Sequence, residues 1–298
     1  MEELCSIRLE RLLLSTDGSE FSEGAIREAV RLAKNCKCEL SALYVIEFNP
    51  EFEALAPKLV EKMEVGSKQH LASVRERALK EGVDCKTLIR RTEAPYQAIV
   101  EEAGKLKADV IVMGRRGRSG LKKLMMGSVT AKVIGHSACD VLVVPRQASI
   151  LCKNILVATD GSLFSNQAVS EAVGIAKRCG ARLYVVSAVH AGEVSPFDIT
   201  QFEMQKGLIA SVEIDRAEKD IAQAKELAQK EGVSVEGIIA GGRPYEVIVE
   251  TAHGKNADLI VMGSHGRTGV EKFLMGSVTE RVIGHAGCAV LVVKLKRA

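Results

Sequence analysis

The sequence is poor in aromatic residues and nearly balanced in charge. Its 298 residues include no Trp, four Tyr and seven Phe, and the formal net charge at pH 7 is only +3. Proteins that bind single-stranded nucleic acid usually stack the bases on aromatic side chains along a basic groove. The composition therefore predicts that nucleic acid is not a partner.

Motifs for metal binding, export and membrane insertion are also missing. The eight cysteines form no Cys-x-x-Cys pair, and several lie in apolar segments such as "CDVLVV", so we expect reduced, partly buried thiols. The six histidines lack metal-ligand spacing, so we expect no protein-built metal site. The opening "MEELCSIRLE" has no apolar stretch typical of a signal peptide, and no run approaches the ~18 apolar residues of a membrane span. We expect a soluble, cytoplasmic protein without a membrane partner.

The sequence contains an internal repeat. The segments Ala108–Val144 and Ala257–Val293 align without a gap and agree at most positions. The segments that begin at Arg11 and Asn154 also match each other over their first strand and helix. The second half carries a few extra residues around His190–Gln205.

The repeat unit is long enough to be a complete domain. At roughly 150 residues it matches the usual size of a globular domain and far exceeds the repeats of solenoid proteins. We therefore expect two domains, 1–147 and 151–298. The segment "PRQASIL" that joins them is so short that the two domains must be neighbours.

Strand and helix signals alternate five times within each copy. The apolar runs of the first copy are "RLLLST", "LSALYVIE", "VDCKTLI", "ADVIVMG" and "CDVLVVP". Such runs without polar alternation are typical of parallel strands buried on both faces. Helical periodicity lies between them, for example in "EGAIREAVRLAK". Each copy is predicted to be a doubly wound, Rossmann-like α/β domain with a five-stranded parallel sheet.

Each copy also carries a glycine-rich loop with the same spacing. The pattern is Gly-x-x-Gly, nine residues, then Gly-Ser. It falls on Gly114, Gly117, Gly127 and Ser128 and again on Gly263, Gly266, Gly276 and Ser277. The first glycine follows a predicted strand at its carboxyl end, where open parallel sheets bind ligands.

A predicted helix follows each Gly-Ser pair. The serine is placed to cap that helix, and the free amides of Ser128, Val129, Ser277 and Val278 would lie at the positive end of its dipole. A strand, a glycine loop and a helix start together favour phosphate as the ligand. A single Gly-x-x-Gly more often marks only a turn, but two matching copies favour binding. The pattern is neither a Walker loop nor the dinucleotide motif Gly-x-Gly-x-x-Gly.

Together these residues resemble the universal stress protein family in its tandem, ATP-binding form. The family motif Gly-2x-Gly-9x-Gly-Ser/Thr is matched in both halves, and its Asp at the end of the first strand is matched by Asp17 and Asp160. The resemblance covers nearly the whole chain. It implies a fold like that of the adenine nucleotide alpha hydrolases, with strand order 3-2-1-4-5. It also implies that the halves pair through Val141–Val144 and Val290–Val293 as an internal pseudo-dimer; a homodimer of whole chains stays open.

The resemblance further implies an adenine-nucleotide site in each half, for ATP or for AMP or ADP, with Mg²⁺. Asp17 and Asp160 would lie near adenine and ribose. Backbone groups near Val45 and Ala188 would flank the base, and Met113 and Met262 would lie beside it. The glycine loops, with the serine and valine that follow in each half, would hold the phosphates.

The two loops differ at one place. The second copy has Ser264 and His265 after its first glycine, as is usual in the family, whereas the first copy has Arg115 and Arg116, followed by Arg118. One interpretation is a solvated basic patch with acidic neighbours. The other is that Arg115 or Arg116 adds charged hydrogen bonds to the triphosphate, which would make the first site the tighter one.

Three functions remain open at this point. The favoured one is a nucleotide-responsive regulator or sensor in a stress response, with two nucleotides per chain. The second is a slow ATPase or nucleotide-dependent transferase that uses the same clefts, although no Ser/His or Cys/His pair is apparent and no catalytic residue is predicted. The third is a scaffold that has lost nucleotide, which the intact motifs disfavour. The sequence does not indicate the protein client.

Overall fold

Strands and helices alternate regularly through both halves of the chain. The computed structural model describes residues 9–48, 51, 55–117, 126–189, 202–267 and 275–295, and the side chains of 202–210 are outside this description. The first half contains β1 Arg11–Thr16, α1 Glu23–Cys36, β2 Glu39–Glu47, α2 Pro57–Lys80, β3 Cys85–Thr92, α3 Pro95–Leu106, β4 Val110–Gly114, α4 Ser128–His136 and β5 Asp140–Val144. The second half contains β6 Asn154–Ala158, α5 Leu163–Cys179, β7 Arg182–Val189, α6 Phe202–Lys230, β8 Val235–Gly241, α7 Pro244–Gly254, β9 Leu259–Gly263, α8 Ser277–His285 and β10 Ala289–Val293.

The described strands form one ten-stranded sheet. Its order is β3-β2-β1-β4-β5-β10-β9-β6-β7-β8, so each half has the order 3-2-1-4-5 and the α/β prediction is confirmed. All strand pairs within a half are parallel. The halves meet where β5 and β10 pair antiparallel, with Leu142 opposite Leu291. Because these two strands run in opposite directions, the carboxyl end of β5 lies beside the amino end of β10.

Helices cover both faces of the sheet, as the uniformly apolar strands require. In β1, Leu12 and Leu14 pack on the face that carries α1 and α2, whereas Leu13 packs on the face that carries α3 and α4. All three leucines are at most 1% exposed. Full burial of a leucine side chain contributes about 1.5–3 kcal/mol, so these runs are the main stabilising element of each half.

The linker lies against α1. The buried carboxylate of Glu28 on α1 accepts a hydrogen bond from the amide of Ile150 at 3.1 Å, and it also pairs with Arg27 and Arg31. A Cβ added at Gly24 would lie 2.3 Å from the carbonyl oxygen of Pro145, so only glycine allows this close approach. The segment between the halves is therefore packed onto the first of them.

The thiol prediction holds for most of the described cysteines and is wrong for one. Cys38, Cys85, Cys139, Cys152, Cys179 and Cys288 are free. Cys36, the last residue of α1, is disulfide-bonded. The apolar setting of a cysteine therefore did not decide its redox state. Within the part of the chain that is described, no helix combines the length and apolar character needed to cross a membrane.

Candidate functional site

A tight turn follows the first strand of each half and fixes an aspartate there. The carboxylate of Asp17 accepts hydrogen bonds from the amide and the hydroxyl of Ser19, at 3.0 and 2.7 Å. Asp160 accepts a bond from the amide of Ser162 in the same way, at 3.1 Å. The intervening Gly18 and Gly161 have φ of 74° and 75°, a left-handed conformation that favours glycine. Both aspartates are half-buried at the carboxyl edge of the sheet.

The second glycine of each loop lies directly against this carboxylate. A Cβ built on Gly117 would lie 2.9 Å from Oδ2 of Asp17, and one on Gly266 would lie 2.7 Å from Oδ2 of Asp160. The contact arises because β4 pairs with β1, and β9 with β6, so that the ends of these strands meet. The structure thus brings together the two motif elements that are furthest apart in sequence.

The described ends of each glycine loop are tied to each other. In the first half the amide of Gly127 donates to the carbonyl of Arg115 at 2.9 Å, and the hydroxyl of Thr130 donates to the carbonyl of Gly114 at 3.1 Å. The second half repeats both bonds, from Gly276 to Ser264 at 2.9 Å and from Thr279 to Gly263 at 3.0 Å. The residues between, 118–125 and 268–274, lie outside the described part of the chain.

The helix that follows each loop begins one residue earlier than the capping prediction assumed. Gly127 and Gly276 are the N-cap residues of α4 and α8, and Ser128 and Ser277 are the first helical residues. The prediction that these serines cap their helices is therefore wrong. Their side chains are exposed, and the amides at the first positions of a helix have no intrahelical acceptor, so they remain available to a ligand. The following residues of the two helices, Val129 and Val278, are half-buried.

The residues expected around the base occupy the same edge. Met113 and Met262 are 5% and 4% exposed, at the ends of β4 and β9. Val45 and Ala188 are half-buried and lie just past Tyr44 and Val186, the last residues of β2 and β7 that pair with the neighbouring first strand. Pairing with β1 and β6 therefore stops before Val45 and Ala188, although both residues remain in register with the third strand of their half.

The side chain of Arg115 contacts the other half of the chain and not the region where phosphates were predicted to bind. Its Nη1 donates to the carbonyl oxygens of Ala286, Gly284 and Ile283, at 2.9, 3.2 and 3.4 Å, at the carboxyl end of α8 in the other half. This arrangement does not agree with the predicted contact of Arg115 with phosphates, because Nη1 of Arg115 donates to a helix end that carries a negative partial charge. Burial lowers the pKa of Arg115, and the adjacent positive charge of Arg116 lowers that pKa further.

The other residues of the two loop starts also differ. Nε of Arg116 is buried without a hydrogen-bond partner among the described residues. Arg118 lies outside the described part of the chain. In the second half the hydroxyl of Ser264 is 3.1 Å from Nδ1 of His265, and the His265 ring packs 5.1 Å from that of Phe164. The two halves therefore offer different side chains at equivalent backbone positions.

Further hydrogen bonds hold the aspartate of the second half. Oδ2 of Asp160 accepts a bond from the amide of Arg267 at 2.9 Å, and the guanidinium of Arg267 pairs with Glu213 on α6 at 2.9 Å. Burial alone would raise the pKa of Asp160, but hydrogen bonds from Ser162, from the Arg267 amide and from Ser165 outweigh it and lower the pKa. The ionised form of Asp160 is thus favoured in the folded protein.

Two residues beside the strand-end turns, His70 in the first half and Asp220 in the second, were not predicted from the sequence. Nε2 of His70 on α2 is 2.9 Å from the hydroxyl of Thr16, directly before Asp17. In the second half Asp220 on α6 lies so close to the turn that a Cβ on Gly161 would meet its Oδ1 at 2.5 Å. Burial raises the pKa of Asp220. When α2 and α6 are aligned on Gly82 and Gly232, His70 falls at the position equivalent to Asp220, so the sequence alone could have indicated that the two residues are related by the repeat.

A separate cavity lies at the amino edge of the sheet, opposite the carboxyl edge that carries the glycine loops. It is about 430 Å³ in volume and is lined by the amino ends of β2 and β3 and the end of α1, including Lys34, Lys37 and Lys86. Glu81 and Glu39 pair with two of these lysines, at 2.7 and 3.0 Å. Its charges are thus largely matched within the protein, and it is remote from the glycine loops.

Comparison with known proteins identifies the family. The model of the Universal stress protein family matches residues 9–145 and again 152–294. The chain therefore belongs to the universal stress protein family and contains two copies of its domain. A universal stress protein of Methanocaldococcus jannaschii is 41% identical over 149 residues, which is 50% of this chain and 86% of that protein. A putative universal stress protein of Staphylococcus aureus strain USA300 is 39% identical over 150 residues, 49% of this chain and 86% of that protein.

Solved structures share the two-domain fold. A universal stress protein from Archaeoglobus fulgidus aligns with a TM-score of 0.71 and 23% identity, covering 95% of this chain and 96% of that one. A putative universal stress protein from Pseudomonas aeruginosa UCBPP-PA14 aligns with a TM-score of 0.66 and 20% identity, covering 97% and 94%. At these identities the likeness shows the fold alone.

Proposed function

We propose that each half of the chain binds one adenine nucleotide, ATP together with Mg²⁺, and that the protein acts in the cytoplasm as a nucleotide-responsive regulator in a stress response. The observation that carries this proposal is the same arrangement in both halves. A fixed carboxylate lies against the second glycine of a loop, and that loop ends at a helix with free amides. Asp17 with Gly117 and Asp160 with Gly266 form the two copies.

The described residues fit an adenine nucleotide. A carboxylate held by its own turn, as in Asp17 and Asp160, is a suitable acceptor for ribose hydroxyls. Backbone groups near Val45 and Ala188, which lie beyond the last residues that pair with β1 and β6, suit the hydrogen-bonding edge of adenine. The amides of Ser128 and Ser277, with the dipoles of α4 and α8, suit phosphate. Mg²⁺ would be held mainly by the phosphates and by water, since it dehydrates reluctantly.

The second site is expected to bind differently from the first. Arg116 contributes a buried, unpartnered Nε in the first half, where the second half has His265. We therefore propose unequal affinities. We also propose that the β5–β10 contact makes the chain an internal pseudo-dimer, so that a single chain is the functional unit.

The test is direct binding by the purified full-length chain. Protein from cells is denatured and the released small molecules are analysed for adenine nucleotides, and stripped protein is then titrated with ATP and Mg²⁺ by calorimetry. Saturable binding that Asp17→Ala and Asp160→Ala each weaken supports the proposal. Absence of binding at millimolar ATP, or binding that the double variant leaves unchanged, contradicts it.

A further inference from the structure

The side chain of Arg115 connects the two halves through a single helix. Its Nη1 lies 2.9 Å from the carbonyl oxygen of Ala286 and 3.2 Å from that of Gly284, at the end of α8. The carbonyls at the end of a helix have no intrahelical donor and carry its negative partial charge. A guanidinium is well suited to this position because it presents several donors from one rigid plane. Arg115 is thus a cap on α8, supplied from the first half.

The other end of α8 belongs to the second proposed site. The helix begins at Ser277, directly after the N-cap Gly276 of the second glycine loop. It has nine residues and is therefore about 13 Å long at ~1.5 Å per residue. Val282 and Ile283 are at most 1% exposed, so the helix is packed along its length. One short, packed helix has the proposed phosphate-binding amides of the second site at one end and Arg115 at the other.

The backbone of Arg115 belongs to the first proposed site. Its carbonyl accepts the amide of Gly127, the N-cap of α4, at 2.9 Å. The same residue therefore holds the first glycine loop closed with its backbone and holds the end of α8 with its side chain. A shift or loosening of α8 is transmitted to the loop that would carry the phosphates of the first nucleotide.

The reverse connection is not built in the same way. The residue equivalent to Arg115 in the second loop is Ser264, whose hydroxyl lies 3.1 Å from Nδ1 of His265. Its short side chain stays within its own loop. The two helix ends are otherwise alike, since Nδ1 of His136 lies 2.8 Å from the carbonyl of Lys132 in α4, and Nδ1 of His285 lies 2.7 Å from the carbonyl of Arg281 in α8. Among the described residues, the side-chain cap between the halves thus runs from Arg115 of the first half to α8 of the second.

We propose that Arg115 is a positioning residue that couples the two nucleotide sites through α8, so that a nucleotide in the second half raises the affinity of the first. This inference rests on the proposed function. A phosphate at the start of α8 and a cation at its end both interact favourably with the dipole of this one packed helix, so each holds the helix in the position that suits the other. The coupling is therefore positive, and linkage makes it reciprocal in affinity.

The experiment is a coupling measurement by calorimetry with ATP and Mg²⁺. Gly276→Val blocks the second site and gives the constant of the first alone, and Gly127→Val gives the constant of the second alone. The product of the two wild-type binding constants, divided by the product of the two single-site constants, is the coupling factor. We expect a factor of about 5 to 150, the usual range of allosteric coupling.

Variants of Arg115 decide whether this residue carries the coupling. Arg115→Ser, which copies the second loop, is expected to bring the factor close to 1, and Arg115→Lys to restore part of it because a cation remains at the helix end. Arg281→Ser is the matched control, since it removes an equal charge from an exposed position on α8 itself. It is expected to leave the factor unchanged.

The outcomes separate the two proposals. If both sites bind and the wild-type factor is 1, or if Arg115→Ser leaves a larger factor unchanged, the coupling role is wrong while the nucleotide sites stand. If neither site binds ATP, the proposed function fails and the coupling fails with it. If Arg281→Ser lowers the factor as much as Arg115→Ser, the effect is one of helix charge and not of the Arg115 cap.

Discussion

Replacing Gly127 by valine should remove nucleotide from the first site without unfolding the protein. Gly127 is an N-cap with φ −72° and ψ 143°, a conformation open to any residue, so glycine is not needed there for its backbone freedom. A Cβ would make only ordinary contacts, the nearest being 3.5 Å to Cα of Arg116. The protein itself therefore has room for the side chain that the proposed phosphates would exclude.

The expected changes in stability and in affinity follow from the helix cap and the hydrogen bond that the substitution would affect. Valine is a poorer N-cap than glycine, which lowers the stability of the folded protein. Valine also restricts the backbone of the unfolded chain, which offsets part of that loss. The free energy of unfolding should therefore change by about 1 kcal/mol or less. Loss of one hydrogen bond from an amide of α4 to a charged phosphate costs about 1.5–3 kcal/mol. The affinity of the first site should therefore fall by roughly 10- to 150-fold.

Calorimetry with ATP and Mg²⁺, together with urea unfolding, measures both quantities. Gly104→Val is the matched control, because Gly104 is exposed on α3 and an added Cβ there meets nothing within 4 Å. It should leave both binding constants unchanged. If Gly127→Val folds normally and binds as the wild type does, the phosphates do not lie at this helix start and the reasoning is refuted.

Three further predictions concern chemistry, pH and thiol reactivity. ATP turnover should stay below the ~1 s⁻¹ of typical enzymes; faster hydrolysis that is lost in Asp17→Ala/Asp160→Ala would show an enzyme instead. Because the folded-state pKa of Asp160 is lowered, its contribution to stability is present above the unfolded value near pH 4 and is lost as the pH falls through the folded value. The difference in unfolding free energy between wild type and Asp160→Asn should thus shrink between pH 6 and pH 2, and a constant difference would contradict this. A hydrogen bond from the Cys152 thiol lowers the pKa of Cys179, whereas burial raises that of Cys85 to about 11. Iodoacetamide at pH 7.5 should therefore label Cys179 before Cys85, as mass spectrometry of peptides would show, and the reverse order would be inconsistent with these environments.

Local patterns were enough to predict the α/β class of each half, whereas the strand order 3-2-1-4-5 was implied by the family resemblance. Uniformly apolar runs such as Leu12–Leu14 can be buried only between two helical layers, and the repeated order of strand and helix leaves few ways to arrange them. The strand order implied by the family resemblance puts the ends of the first and fourth strands side by side, and in the structure Gly117 and Gly266 lie against the strand-end aspartates. These features depend on neighbours within one domain.

The features that were predicted wrongly or not at all depend on distant parts of the chain or on backbone geometry. Arg115 donates to carbonyl oxygens 168 to 171 positions away in the sequence, and the charge pattern of the loop does not indicate that these carbonyls are its acceptors. The capping role given to Ser128 failed because the extended backbone of Gly127 already precedes the first helical turn. His70 and Asp220 escaped notice because helices α2 and α6 are less alike than the glycine loops.

The number of nucleotides bound at saturation tests the central claim most directly. Equilibrium dialysis of the stripped, full-length chain against radiolabelled ATP with Mg²⁺ should give two nucleotides per chain. At an ATP concentration that only just fills both wild-type sites, Gly127→Val and Gly276→Val should each bind close to one, and the double variant should bind little. A stoichiometry of one or none in the wild type, or two in the double variant, would contradict the account of two glycine-loop sites.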